Sequence, residues 1–123
     1  MKIVIRADAN PNLGYGHISR CINLAKEFKK KFNCQIYFLT INYNNYYIKK
    51  IKNYNFKIYL LNSNKIFDQK SDAVYSNKFF KKFQPDLLIL DHYKLNIYWE
   101  KLVKNNIKKL FVINDLKRKH ICN

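Results

Sequence analysis

Glycine and proline are nearly missing, with two of each in 123 residues, and acidic residues are scarce, eight against 24 Lys plus Arg. A chain this poor in Gly and Pro holds no low-complexity linker, and no internal repeat is visible; its length suits one compact domain. Cysteine is limited to Cys21, Cys34 and Cys122. An odd number with no C-x-x-C spacing argues against a disulfide framework or a zinc site, so the three read as reduced thiols. Long apolar runs are absent too. No stretch approaches the roughly 18 residues of a membrane span, and Met1 to Asp8 is too short a run for a signal peptide. The expectation is a cytoplasmic protein with no membrane partner.

What is present is a core-forming composition, 48% hydrophobic and 16% aromatic, well above that of a chain unable to bury a core. The formal charge of +16 raises the question of anionic partners. Lys, Asn, Ile, Tyr and Phe make up 72 of the 123 residues, and Arg occurs three times. All five have codons rich in A and T, so much of the lysine excess has the form of a genomic base-composition bias. The expectation is no specific nucleic-acid partner. A basic nucleic-acid-binding module with its ten tyrosines stacked on bases stands as the minor alternative.

The apolar pattern alternates between two periods. Ile3-Val4-Ile5 predicts a first strand, and the segment Asp8 to Gly16 that follows holds both glycines and one proline, as a loop does. From His17, apolar residues at Ile18, Cys21, Ile22, Leu24, Ala25, Phe28 and Phe32 predict an amphipathic helix. Gln35 to Thr40 predicts a strand, Tyr46 to Lys52 a helix, and Phe56 to Leu61 a strand. Asn62 to Asp72 reads as a polar loop, and Ala73 to Phe83 as a helix ending before Pro85. Asp86 to Asp91 is nearly all apolar between two aspartates, the mark of a parallel strand buried on both faces. Ile97 to Asn105 and Lys109 to Ile113 complete the series as helix and strand. The fold class is therefore α/β, a Rossmann-like parallel sheet with helices on both faces. In the order 3-2-1-4-5, strands one and four meet at the switch point, where ligands bind beyond the carboxyl ends.

Candidate chemistry gathers at that edge. Gly14 and Gly16 permit a sharp turn and close backbone approach, and His17 stands at the predicted helix start, where N–H groups favour anions. The same positive helix end disfavours an imidazolium, leaving a neutral base near pH 7. A plain turn with a helix-capping histidine explains Gly-x-Gly-His equally well. A dinucleotide site fits worse, since the third glycine is missing and the second strand ends at Thr40 rather than at an acid. Asp91-His92-Tyr93 closes strand four, where its side chains are expected to face the cleft of His17, or else to cap a turn and pack. Asn114-Asp115 closes strand five at the same edge, and Asp115 either lines the cleft or caps a turn. Asp8 either orients His17 and lines the cleft, or forms a local turn. No phosphate-binding P-loop, Asp-x-Asp motif or His/Cys cluster at metal spacing appears, so metal-independent chemistry without a cofactor is expected.

Arg6-Ala7-Asp8-Ala9 with Gly14-Tyr15-Gly16-His17-Ile18-Ser19-Arg20-Cys21-Ile22-Asn23-Leu24-Ala25 resembles the opening of the UDP-sugar hydrolases of the pseudaminic acid pathway. Pro85 to Tyr93, Trp99-Glu100, Val112 to Leu116 and His120 to Asn123 resemble further blocks of that family in the same order, and related spore-coat polysaccharide proteins share them. The resemblance spans essentially the whole chain, only by pattern between Asn42 and Asn77. It implies the N-terminal domain, residues 1–123, of a GT-B fold, with His17 as catalytic residue. Asp8, Gly14, Tyr15, Gly16, Arg20, Asp91, His92, Tyr93 and Asp115 are the substrate-binding positions it implies, for a UDP-sugar substrate. Asn114 departs from the family, which usually has a second acid there. The family's nucleotide-binding domain would follow Asn123, so it is expected in cis in a longer protein or in trans from another chain. A glycosyltransferase of the same fold, or an inactive truncated remnant, are the alternatives.

Overall fold

The computed structural model describes residues 1–8, 16–42, 45–61, 68–92 and 94–113, of which 16 and 17 are described by backbone alone. Five parallel strands form one sheet: β1 (Lys2–Ala7), β2 (Gln35–Ile41), β3 (Lys57–Leu61), β4 (Leu87–Asp91) and β5 (Lys109–Val112), in the order β3-β2-β1-β4-β5. Helices α1 (Gly16–Lys31), α2 (Asn45–Asn53), α3 (Gln69–Phe83) and α4 (Ile97–Val103) connect them, and a 3-10 turn at Lys104–Asn106 leads into β5. The alternation, the strand order and the Rossmann-like class all agree with the expectation from sequence. No described helix is long and apolar enough to cross a membrane.

Two apolar cores sandwich the sheet, as the period-two alternation of buried strands requires. Ile3, Ile5 and Ala7 face Ile18, Cys21, Ile22 and Ala25 of α1 and Ile51 of α2. Val4, Leu88 and Leu90 face Phe79 and Phe80 of α3 and Trp99 and Val103 of α4. The second core continues into an aromatic ladder. Tyr59 stacks on Phe79 at 4.6 Å, Phe79 on Phe83 at 5.4 Å, and Tyr37 meets Phe83 edge-on at 4.7 Å. These rings lay α3 across β2 and β3.

Helix α3 begins at Gln69, earlier than the apolar periodicity predicts. Asp68 caps it, accepting from the backbone N–H groups of Lys70 and Ser71, which satisfies donors that a helix start leaves orphaned. The added turn carries Asp72 into the interior, where it is 5% exposed.

There Asp72 meets Arg6, a fully buried guanidinium that interrupts the apolar run of β1. Arg6 Nε donates to Asp72 Oδ1 at 3.3 Å and Nη2 donates to Asp72 Oδ2. Trp99 Nε1 donates to the same carboxylate at 2.9 Å and Ser76 Oγ at 3.2 Å. On its other side Arg6 forks onto Asp8, with Nη1 at 2.6 Å from Oδ1 and Nη2 at 3.0 Å from Oδ2. Burial alone would weaken the guanidinium, but Asp72 and Asp8 more than offset it and hold Arg6 charged, its pKa above the ordinary value. One charge thus joins β1 to both helices of the second core.

With glycine so scarce, two left-handed backbone positions among the described residues fall to other residue types: Asn55 at φ 65° after α2, and Gln84 at φ 54° after α3. The Gln84 N–H closes the helix on the Phe80 carbonyl at 2.8 Å.

Three outcomes follow from this architecture. Asp72→Ala strips Arg6, Trp99 and Ser76 of their shared acceptor, and chemical denaturation should show a loss of about 3–5 kcal/mol, against about 1 kcal/mol for Ser76→Ala. Gln84→Gly relieves a left-handed strain at an exposed cap and should gain about 0.5–1 kcal/mol in the same assay. Asp8 is held well below the usual carboxylate range, since the pull of Arg6 and the His92 hydrogen bond outweigh burial, which raises it. A depressed native pKa stabilises above the unfolded value of about 4 and is lost as pH falls through the native one. Stability should therefore decline progressively below about pH 5, and Asp8→Asn should flatten that acid limb.

Candidate active site

Right-handed crossovers place α1 and α2 on one face of the sheet and α3 and α4 on the other. The change of face falls between β1 and β4, which pair in register from Ile3↔Leu87 to Ala7↔Asp91. The helices that follow these two strands, α1 and α4, lie on opposite faces, the arrangement at whose carboxyl edge such sheets bind ligands.

On the α1 side, Gly16 and His17 are the first two residues of a 16-residue helix whose amino end opens at this edge. Gly14 and Tyr15, the remainder of the Gly-x-Gly-His motif, lie outside the described residues, as do the side chains of Gly16 and His17. One turn on, Arg20 forks onto Asp91, Nε at 3.0 Å from Oδ2 and Nη2 at 2.7 Å from Oδ1. Bidentate, charge-assisted geometry makes this a strong pair. It is also asymmetric: the Asp91 side chain is fully buried, whereas that of Arg20 is 39% exposed at the rim. The Cys21 thiol donates to Asp91 Oδ2 at 3.5 Å. Burial pushes that thiol up, and the neighbouring Asp91 charge adds to the shift, so Cys21 is kept protonated and is no nucleophile.

On the α3 and α4 side lie Asp8 and His92, one step beyond the last paired residues of β1 and β4. Besides Arg6, Asp8 Oδ1 accepts from Thr40 Oγ1 at 3.0 Å and from the Ile41 N–H at 2.8 Å. Its Oδ2 lies 2.7 Å from His92 Nε2. The Lys94 backbone N–H reaches His92 Nδ1 at 3.0 Å. Because an N–H can only donate, Nδ1 carries the lone pair, and Nε2–H donates to Asp8. Burial lowers the His92 pKa, opposed by the Asp8 hydrogen bond and reinforced by Arg6, so this is a neutral ring in one tautomer.

The sequence expects Asp91 and His92 to face one cleft together. Strand alternation instead sends Asp91 to α1 and His92 to the opposite core. Asp8, expected beside His17 or in a turn, accepts from β1, from β2 and from His92. Tyr93 and Asp115 lie outside the described residues. Sequence reading missed Arg6, Thr40 and Asp72 as members of this cluster. An arginine inside an apolar strand was the available signal, since a buried guanidinium needs carboxylate partners. Among the described residues no group of three or more His, Cys, Asp or Glu is gathered as metal ligands would be. The ring of His92 has its lone pair engaged, and the helix start at His17 is the other histidine position here.

No family model matches the chain. A UDP-2,4-diacetamido-2,4,6-trideoxy-β-L-altropyranose hydrolase of Campylobacter jejuni is 29% identical over 122 residues, an alignment covering 98% of this chain and 39% of that protein. An uncharacterized protein of Methanocaldococcus jannaschii is 30% identical over 115 residues, covering 94% of this chain and 22% of that protein. The chain therefore spans well under half the length of the curated relatives it matches. Among solved structures, a phosphoribosylglycinamide formyltransferase of Coxiella burnetii in complex with CHES superposes with a TM-score of 0.58, at 14% identity, over 87% of this chain and 49% of that one. That likeness is one of fold, and it is Rossmann-like; the sequence likeness makes the chain a distant relative of a UDP-sugar hydrolase over part of that enzyme's length.

Proposed function

We propose that this chain is the N-terminal Rossmann-like domain of a GT-B enzyme that hydrolyses a UDP-linked 2,4-diacetamido-2,4,6-trideoxy sugar to UDP and the free sugar. The observation that carries the reading is the alignment of 98% of the chain with the Campylobacter jejuni hydrolase. The position of His17, second residue of a long helix at the carboxyl edge of β1 and β4, supports it. A helix amino end stabilises the leaving diphosphate charge and disfavours imidazolium, so the ring stays available as a base.

In this mechanism His17 takes a proton from water as the water oxygen bonds to the anomeric carbon. The bond from that carbon to the diphosphate oxygen breaks, and UDP departs with the electron pair, inverting the centre. Arg20, anchored by Asp91 but partly exposed, is suited to meet anionic or polar groups of the substrate at the rim. Gly14, Tyr15, Gly16, Tyr93 and Asp115 complete the proposed substrate-binding set. A second domain, in the same polypeptide or another chain, supplies most uridine and diphosphate contacts in this reading. The chemistry uses neither a metal nor a cofactor, and the enzyme works in the cytoplasm on a nucleotide-sugar pool.

In the full-length protein, His17→Asn should fold normally and release UDP roughly 10²–10⁴-fold more slowly; near-normal turnover would refute the role. With the unsubstituted enzyme in ¹⁸O-labelled water, mass spectrometry should find the label in the free sugar. Label in UDP would mean attack at phosphorus, and a glycoside formed only when an acceptor alcohol is added would mean a glycosyltransferase.

A further inference from the structure

Backbone pairing between β1 and β4 stops at Ala7↔Asp91. The next pair of residues, Asp8 and His92, is joined by side chains instead, at the seam between two strands whose following helices lie on opposite faces. The side chains of His92 and Asp8 are 1% and 0% exposed, so the bond lies beneath the surface at this edge. Asp8 is also the point where three neighbouring strands meet. It accepts from Arg6 of β1, from Thr40 and the Ile41 N–H of β2, and from His92 just past β4. The other end of the imidazole holds the Lys94 N–H, which fixes the chain leaving β4. Residue 9, immediately after Asp8, begins the segment that leads to Gly14, Gly16 and His17.

We propose that His92 is a positioning residue: through Asp8 it fixes where the β1 segment departs from the sheet, and so where His17 stands relative to the bond being broken. This rests on the hydrolase reading of the site, whereas the clasp between His92 and Asp8 stands independently of it. Both ring nitrogens are engaged by buried partners, so His92 neither moves the reacting proton nor touches substrate. Its action is geometric, of the kind in which a displacement of about 1 Å away from the chemistry costs on the order of a hundredfold in rate. The Arg20–Asp91 pair ties α1 to β4 on the opposite face. The seam is therefore fastened once on each side.

The full-length protein with three substitutions tests this. Gln at position 92 presents an amide N–H at the reach of Nε2 and keeps the donation to Asp8. Asn keeps an acceptor for Lys94 but falls short of Asp8, and Leu removes both. Expected results are a kcat for UDP release at least about tenfold lower in His92→Leu and His92→Asn, a KM within about twofold of normal, and recovery of most of kcat in His92→Gln. Backbone amide signals of Gly16 and His17 should move in His92→Asn and return in His92→Gln. Long-range ¹H–¹⁵N spectra of the unsubstituted protein should show the Nε2–H tautomer near pH 7. An Nδ1–H tautomer or a charged ring there would break the clasp. Normal kcat and unmoved amides in a folded His92→Asn would overturn the positioning role, as would a raised KM with kcat intact. Should the unsubstituted protein release no UDP, the hydrolase reading fails by itself, and the tautomer and amide shifts still decide the clasp. Should His92→Leu not fold, the Asn and Gln pair carries the comparison.

Discussion

The guanidinium of Arg6 is the charge around which the chain is arranged. It sits in the middle of a strand that is apolar on both faces, and it is fully buried. Leaving such a charge uncompensated is prohibitive, so every low-energy arrangement of this sequence must deliver carboxylates to it. Asp8 comes from two residues further along, which requires β1 to stop there. Asp72 comes from 66 positions away, which requires α3 to begin early enough for its first turn to reach β1. Trp99 and Ser76 then complete the shell of Asp72, fixing α4 beside α3. Apolar burial supplies the driving force for the sandwich, but it is tolerant of small slips. The ion cluster is not, because a forked guanidinium donates to carboxylates well only in its own plane.

Most of the architecture was legible in the sequence because it follows from runs of apolar residues. Ile3 to Ile5 and Leu87 to Leu90 admit no reading but buried strands, and the helical spacing from Ile18 to Phe28 admits only one face for α1. The first turn of α3 was not legible. Gln69-Lys70-Ser71-Asp72 has no apolar period and is held as helix by the Asp68 cap and by the demand of Arg6, a partner remote in sequence. The site divides the same way. That polar residues gather at the carboxyl ends of β1 and β4 could be read from the order of elements. How Asp8, Asp91 and His92 are shared out between the two faces depends on register and on partners, which a one-dimensional pattern does not contain.

Adjacent residues at the end of β4 thus serve two different structures. Asp91 belongs to α1, where it grips Arg20 and keeps Cys21 protonated; His92 belongs to the ion cluster beneath the opposite core. A sheet edge at a change of face has this property in general, since the elements on its two sides are continuous with different cores. Each side of the edge is held by a separate network, and a perturbation in one core is passed to one side.

The burial of acids has a further result at the outer surface. Of eight acidic residues, Asp8, Asp72, Asp91 and Glu100 are at most 5% exposed. Half of the acidic residues are therefore turned inward while no described lysine is buried, so the described exterior is more uniformly positive than +16 alone conveys. Molecules bearing such a coat repel one another strongly in dilute buffer and less so as added electrolyte shortens the reach of their fields. Colloidal behaviour in this chain is set by the same carboxylates that hold its interior together.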